Sequence, residues 1–223
     1  MGQGTRMRIA VCASGAQRFD SNAATLFLRA LPKDATVDYF CYTHAGQFET
    51  DEALHDYLVE KTERRAANVY AKVDTGFVPN ADFPHVSFPE TNKDNVLRMF
   101  FAIRRCGDLK VEVERREGFV YDMVFRVRSD TTVSHALDLS AYAPITPNFV
   151  VFPWSGHWRG GLNDQFAFSS SANMDVYASI WDHIADHCAN NCPFHPETLV
   201  RYHLMKMRVS PIVAPIETRL LRY

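Results

Sequence analysis

The sequence predicts an α/β fold, with helices flanking a central, mostly parallel sheet. Three observations carry this. Short runs rich in β-branched and aromatic residues alternate with helix-permissive segments over the first 130 residues. No repeat, low-complexity tract or linker interrupts the 223 residues, so a single domain is expected. Hydrophobic residues make up 47% and charged residues 22%, an ordinary balance for a globular chain long enough to bury a real core.

The elements follow in order. Met7 to Cys12 (MRIAVC) reads as a first strand, and Asn22 to Leu31 as a helix stopped by Pro32. Thr36 to Tyr42 is a second strand. Asp51 to Ala67 is charged and helix-permissive, with Leu54, Leu58 and Val59 as its apolar side, and Val69 to Val73 is a third strand. Gly76 to Pro89 holds three prolines and no period, which reads as a loop. Asn92 to Arg105 carries Val96, Met99, Phe100 and Ile103 on one helical stripe, and a second helical stripe runs from Cys106 through Leu109 and Val113 towards Gly118. Phe119 to Arg128 and Phe149 to Phe152 are strands. Met174, Tyr177, Ile180, Trp181 and Ile184 predict one amphipathic helix. Pro196 opens another at its first position, with Val200, His203, Leu204 and Met207 along one side. Arg208 to Ile216 reads as a last strand, added antiparallel.

Bulk properties exclude several classes. A net charge of −2 gives no basic surplus for nucleic-acid binding. No apolar run reaches about 18 residues, so membrane insertion is not expected. The opening Met1-Gly2-Gln3-Gly4-Thr5-Arg6 fails the N-myristoylation pattern, because Arg6 stands where Ser or Thr is needed. Five cysteines form no even framework, and two of them sit inside apolar strand-like runs. Reduced thiols in a cytoplasmic compartment are expected.

In such sheets ligands bind beyond the carboxyl ends of the strands. Two segments fit that address. Ser14-Gly15-Ala16-Gln17-Arg18 follows the first strand: a glycine lets backbone N–H groups approach a ligand, and Arg18 suits a phosphate. It lacks both the spaced glycines of a dinucleotide fingerprint and the Lys-ended P-loop, and an ordinary strand-to-helix turn reads equally well. The second is the end of Tyr121–Asp130 (YDMVFRVRSD). Alternation puts Asp122, Val124, Arg126, Arg128 and Asp130 on one face and Met123, Phe125 and Val127 on the other. An aspartate beside an arginine suits a divalent cation and phosphate oxygens; a simple surface Arg–Asp pair is the ordinary alternative.

Further along, Asp164 in Gly160-Gly161-Leu162-Asn163-Asp164-Gln165 reads either as a general base or as a turn cap. The loop Trp154–Arg159 offers indole faces to a sugar ring. His203 sits on an apolar stripe, where a buried hydrogen-bonded histidine competes with a metal ligand. His183, His187, Cys188, Cys192 and His195 fail as a zinc site: Cys188 is rotated about 100° from His187, and the spacing matches no common ligand pattern.

Four of these pieces together resemble the GT-A-fold glycosyltransferases of the polysaccharide and capsid-glycan type. Tyr121, Asp122, Val124, Arg126, Arg128 and Asp130 match its "YD.V.R.R.D" variant of D-x-D. "RIAVCASGAQR" is similar to its first strand and nucleotide loop, "NDQFAF" to a later element, and "PETLVRYHL" to a late helix; the run before Tyr121 resembles its paired helices. The resemblance spans most of the chain, and an algal-virus capsid glycosyltransferase domain would be one such member.

It implies a single GT-A-like domain, with a nucleotide-sugar-binding half over 1–130 and an acceptor-side half over 131–223. It implies transfer of a hexose or deoxyhexose from a nucleotide diphosphate sugar, UDP by analogy, to a glycan hydroxyl. The base would lie against Ala13, Ser14 and Gly15, with Thr43 and Asp74 at neighbouring strand ends. Arg18, Arg126 and Arg128 would serve the diphosphate, and Asp130 with His203 a Mn²⁺ or Mg²⁺ ion. Arg128 replaces the first Asp of D-x-D, which puts a two-carboxylate metal site in doubt and leaves open whether the dependence on the ion is full, weak or absent. Asp164 and Asp130 would be catalytic, Trp158 and Asn163 would line the acceptor side, and Gly76–Pro89 would form a lid. The alternatives are an inactive nucleotide-sugar or glycan-binding module and a nucleotidyltransferase. The missing Lys-ended glycine loop counts against the second.

Overall fold

In the computed structural model, residues 6–15, 22–80, 82 and 87–221 are described. The chain runs β1 (Arg8–Gly15), α1 (Ala23–Ala30), β2 (Thr36–His44), α2 (Asp51–Lys61), β3 (Asn68–Asp74), α3 (Lys93–Glu117), β4 (Met123–Val127), β5 (Thr131–Val133), β6 (Phe149–Pro153), β7 (Phe166–Ser169), α4 (Ser171–Ala178), α5 (Ile180–Ala189), α6 (Pro196–Lys206), β8 (Ser210–Ala214) and β9 (Thr218–Leu220). Seven strands form one sheet in the order β3-β2-β1-β4-β7-β6-β8. β1 pairs parallel with β2 and β4, and β2 with β3; β7 runs antiparallel to both β4 and β6. A mixed but mostly parallel sheet flanked by helices is the fold that the alternating pattern predicts. No helix among the described residues is long and apolar enough to cross a membrane.

Side-chain alternation divides the core between the two faces. Ile9, Val11 and Ala13 of β1 join Met123, Phe125 and Val127 of β4 against α1 and α2, while Ala10, Cys12 and Val124 pack beneath α3 to α6. The motif's first two residues pin the strands at their starting ends. Asp122 Oδ2 accepts the Arg8 N–H at 2.7 Å, and the Tyr121 hydroxyl donates to Asp38 at 2.6 Å.

Several boundaries differ from the sequence reading. The strand expected from Phe119 begins at Met123. α2 stops at Lys61, because Glu63 and Arg64 take left-handed φ values of 49° and 59° and turn the chain towards β3. The two expected stripes before Gly118 are one helix of 25 residues. Asn92 caps its start by accepting the Asn95 N–H, the Arg104–Asp108 pair spans Gly107, and Gly118 ends it with φ 70°. Gly107 allows a close approach, since a Cβ there would lie 3.0 Å from Ala178.

Conversely, the single helix expected from Met174 to Ile184 is two. The Ser179 hydroxyl donates back to the Val176 carbonyl at 2.8 Å, and His203 Nε2–H donates to that same carbonyl at 2.8 Å. The tail strand β8 is parallel to β6, not antiparallel, because three helices carry the chain back across the sheet. β9 pairs antiparallel with β5 in a separate two-stranded ribbon.

Candidate active site

The carboxyl ends of β1, β2 and β4 meet the start of β7, since Val127 is paired with Phe166. This edge gathers most of the polar residues the sequence singles out. Ser14 is buried, and its hydroxyl has no protein partner. Gly15 adopts φ 127°, and its carbonyl accepts the Thr43 hydroxyl at 2.9 Å, which commits that hydroxyl to joining two strand ends. Ala13 is fully buried core. Arg18 lies outside the described residues, as does part of the expected lid at 76–89.

Asp74 is held by its surroundings. His44 Nδ1 lies 3.0 Å from Oδ2, while the Gly76 and Phe77 N–H groups donate to Oδ1 at 3.1 and 3.2 Å. It shapes the turn after β3, and Phe77 and Phe101 stack on the His44 ring.

At the end of β4, Arg128 grips Asp130 with two parallel bonds, Nε to Oδ1 at 2.6 Å and Nη2 to Oδ2 at 2.8 Å. The Asp130 side chain is 1% exposed and that of Arg128 is 16% exposed, so the cation forms the solvent-facing side of the pair. Arg126, two residues earlier, is buried beneath the site. Its Nη1 donates to the Val127 carbonyl, and Nε and Nη2 have no protein partner. Burial lowers the pKa of its guanidinium, against the opposing pull of nearby Tyr177 and Asp164.

Asp164 is almost buried. Desolvation raises its pKa, and Arg126 and Arg128 oppose the rise. A buried carboxylate raised in this way takes up a proton more readily than a solvated one. Asn163 next to it is committed to the backbone. Its Oδ1 accepts the Gln165 and Phe166 N–H groups, and its Nδ2 donates to the Ser155 carbonyl at 2.9 Å. It therefore ties the aromatic loop to the turn that presents Asp164. His157 reinforces this: its Nε2–H donates to the Pro153 carbonyl and its Nδ1 accepts from Asn163 N.

Asp164 and Gln165 open onto a cleft of about 740 Å³ that is also lined by Trp158, Arg159, Glu90, His195, Pro196 and Glu197. Trp158 is 64% exposed at its rim. Arg159 pairs with Glu90 and stacks over Phe88 at 4.5 Å, and Phe88 meets His195 edge-on. The cleft size is that of a small-ligand site.

Glu197 escapes the sequence reading, and His195 appears there only within the rejected zinc set. Their signal was available. Glu197 precedes Val200 by three residues and so continues the buried stripe of α6, where a carboxylate is out of place.

His203 is fully buried. Its Nε2–H goes to the Val176 carbonyl, which leaves Nδ1 to accept from His187 Nε2 at 2.9 Å. Both ring nitrogens are thus occupied. Among the described residues no group of three His, Cys, Asp or Glu side chains could hold a metal ion. With Asp130 held by Arg128, the residues expected to bind a divalent ion do not fit one as they stand.

No protein-family model matches the chain, and no curated protein matches it significantly. Solved structures do. The structure of the glycosyltransferase GlyE from Streptococcus pneumoniae TIGR4 is similar with a TM-score of 0.50 and 13% identity, over 94% of this chain and 46% of that one. Its apo form gives a TM-score of 0.47 and 13% identity, over 94% and 45%. The chain spans less than half the length of these structures. At this identity the likeness concerns the fold alone, and the α/β architecture described above is one that a glycosyltransferase also has.

Proposed function

We propose that this chain is a GT-A-type glycosyltransferase that moves a hexose or deoxyhexose from a nucleotide diphosphate sugar, UDP by analogy, to a glycan hydroxyl. The observation that carries the reading is the placement of the Arg128–Asp130 pair beside Asp164, at the strand ends where such sheets bind nucleotides. The sequence resemblance and the shared fold support it.

In this reading the nucleotide lies over Ser14 and Gly15. Arg128, held in place by Asp130, faces the diphosphate and offsets the charge that builds as the sugar–phosphate bond breaks. The acceptor oxygen bonds to the anomeric carbon, its proton passes to Asp164, and nucleoside diphosphate leaves. That is the inverting course; in a retaining one Asp164 would position the donor sugar instead. One observation favours a second reading, a nucleotide-sugar or glycan-binding module: both oxygens of Asp130 are already engaged.

A donor panel scored for nucleoside diphosphate release, with and without acceptor glycans, separates the two. A transferase releases diphosphate from one donor and loses that release in Asp164→Asn. A binding module retains donor without release.

A further inference from the structure

His195 and Glu197 line the 740 Å³ cleft, and neither has a role in the reaction outlined above. Glu197 lies in the first turn of α6, fixed there by Pro196, and its side chain is 8% exposed. His195 Nδ1 comes within 2.9 Å of Glu197 Oε2 but out of hydrogen-bonding alignment, so both buried atoms lack a bonded partner. The carboxyl is otherwise bonded only to its own backbone N–H, and a buried oxygen with no aligned hydrogen bond, facing a cleft, is one that a ligand can complete. The backbone is fitted to hold it there. Leu162 N donates to the Glu197 carbonyl at 2.9 Å, and any side chain at Gly161 would run into that carbonyl.

We propose that Glu197 and Asp164 form a two-carboxyl seat for the acceptor, in which Asp164 meets the reacting hydroxyl and Glu197 holds a neighbouring hydroxyl of the same sugar. The inference rests on the transferase reading and names its acceptor class: a pyranoside with a free hydroxyl beside the one that reacts. The two carboxyls suit complementary tasks. Burial, with the Asp164 charge adding to it, pushes Glu197 up to about 8, so at neutral pH it is an acid that can donate. Burial raises Asp164 as well, but Arg126 and Arg128 oppose that rise where no cation does so at Glu197, so Asp164 is the better acceptor of the two. The other groups facing the pair are His195 from the segment before α6, Tyr177 from α4, and Glu90 and Arg159 across the cleft. Trp158 at the rim presents an indole face for the sugar's apolar side.

Two readouts keep the seat and the reaction apart. Binding of methyl glucoside, galactoside and mannoside, with their monodeoxy analogues, is followed by saturation-transfer NMR without donor; nucleoside diphosphate release reports the reaction. We expect one glycoside to bind, about tenfold more weakly in Glu197→Ala, with most of the loss recovered in Glu197→Gln. One monodeoxy analogue should be weakened about tenfold with the native protein and not further by Glu197→Ala. Native binding should fall as pH rises through 8, while that of Glu197→Gln does not. Unchanged binding in Glu197→Ala, or a native pH profile identical to that of Glu197→Gln, overturns the seat. If glycoside binding behaves as expected but no donor yields diphosphate, the seat stands and the transferase reading fails. The native pH profile and the isosteric Gln variant decide the matter even if Glu197→Ala does not fold.

Discussion

Arg128 holds both carboxylate oxygens of Asp130, at 2.6 and 2.8 Å, at the end of β4. A guanidinium two residues before an aspartate, on a chain leaving a strand, fixes the pair in place. It places fixed positive charge at the strand tip and neutralises the acid below it.

Removing Arg128 leaves Asp130 charged and buried. Arg128→Ala is expected to destabilise the fold by about 3–5 kcal/mol, the cost typical of breaking a buried pair, read as a lowered urea midpoint. Asp130→Ala should cost less, because the freed guanidinium can turn to solvent, yet it should abolish diphosphate release. Turnover at the native rate in Asp130→Ala would remove that residue from the mechanism. Native release should persist in chelator, and a rate that collapses there and returns with Mn²⁺ would mean that Arg128 moves aside for a metal.

Lys110 presents the same physics away from the site. It is 1% exposed in the middle of α3, bonded to Glu114 at 2.9 Å, Asp175 at 2.6 Å and Ser171 at 2.6 Å. Lys110→Ala would remove the cation from Glu114, which keeps the Ser171 hydroxyl and the Tyr121 N–H, and from the part-exposed Asp175, and should cost about 2–3 kcal/mol. Calorimetry checks it, and a shift in melting temperature of less than a degree would show the network to be dispensable.

What was legible in the sequence follows from local physics. Period-two alternation placed Met123, Phe125 and Val127 against α1 and α2, and Val124 with Arg126 on the opposite face. Pro196 marked the start of α6 because its missing N–H costs nothing there. The rest depends on partners distant in sequence. The break at Ser179 needs His203 to claim the Val176 carbonyl, 27 residues away. The reversal of β7 needs both β4 and β6 as neighbours. Asn163 reads as a polar ligand residue from sequence alone, but the fold gives its side chain to Ser155, Gln165 and Phe166. Glu197 escapes because a carboxylate in a helix's first turn is ordinary, which masks its place on the apolar stripe of α6.

Gly161 tests how the cleft is held. A Cβ there would collide with the backbone carbonyl of Glu197, which cannot yield as a flexible side chain would. Gly161→Ala should push the loop of Trp158 away from α6, lower glycoside binding by about tenfold, and leave donor binding at β1 unaffected. Equal loss of both would mean that the substitution disturbs the whole sheet edge.

The pH dependence of stability is led by His187, His203 and Glu197, which pull in opposite directions. Desolvation lowers His187 and His203 to about 4, with His183 adding to it in both and His187 adding to it in His203. An unfolded histidine takes up its proton near 6.5, so below that pH the unfolded chain holds more protons than the fold, and stability falls as pH drops towards 4. Glu197 acts in the reverse sense. Its folded value of about 8 lies above the unfolded one, so its contribution is full below about 4.5 and is lost as pH rises through 8. From pH 4.5 to 6.5 the two histidines, with His195 lowered in the same sense, outweigh Glu197; above 6.5 the change comes from carboxyls that burial raises, Glu197 foremost. Stability should therefore peak near pH 6.5 and decline towards 8 at up to about 1.4 kcal/mol per pH unit. Glu197→Gln should abolish the decline while leaving the acid side intact, and His187→Gln should flatten the acid side alone. Urea midpoints measured from pH 4.5 to 8.5 on all three proteins decide it. A native profile that keeps rising from 6.5 to 8 would show that Glu197 is ionised in the fold at neutral pH.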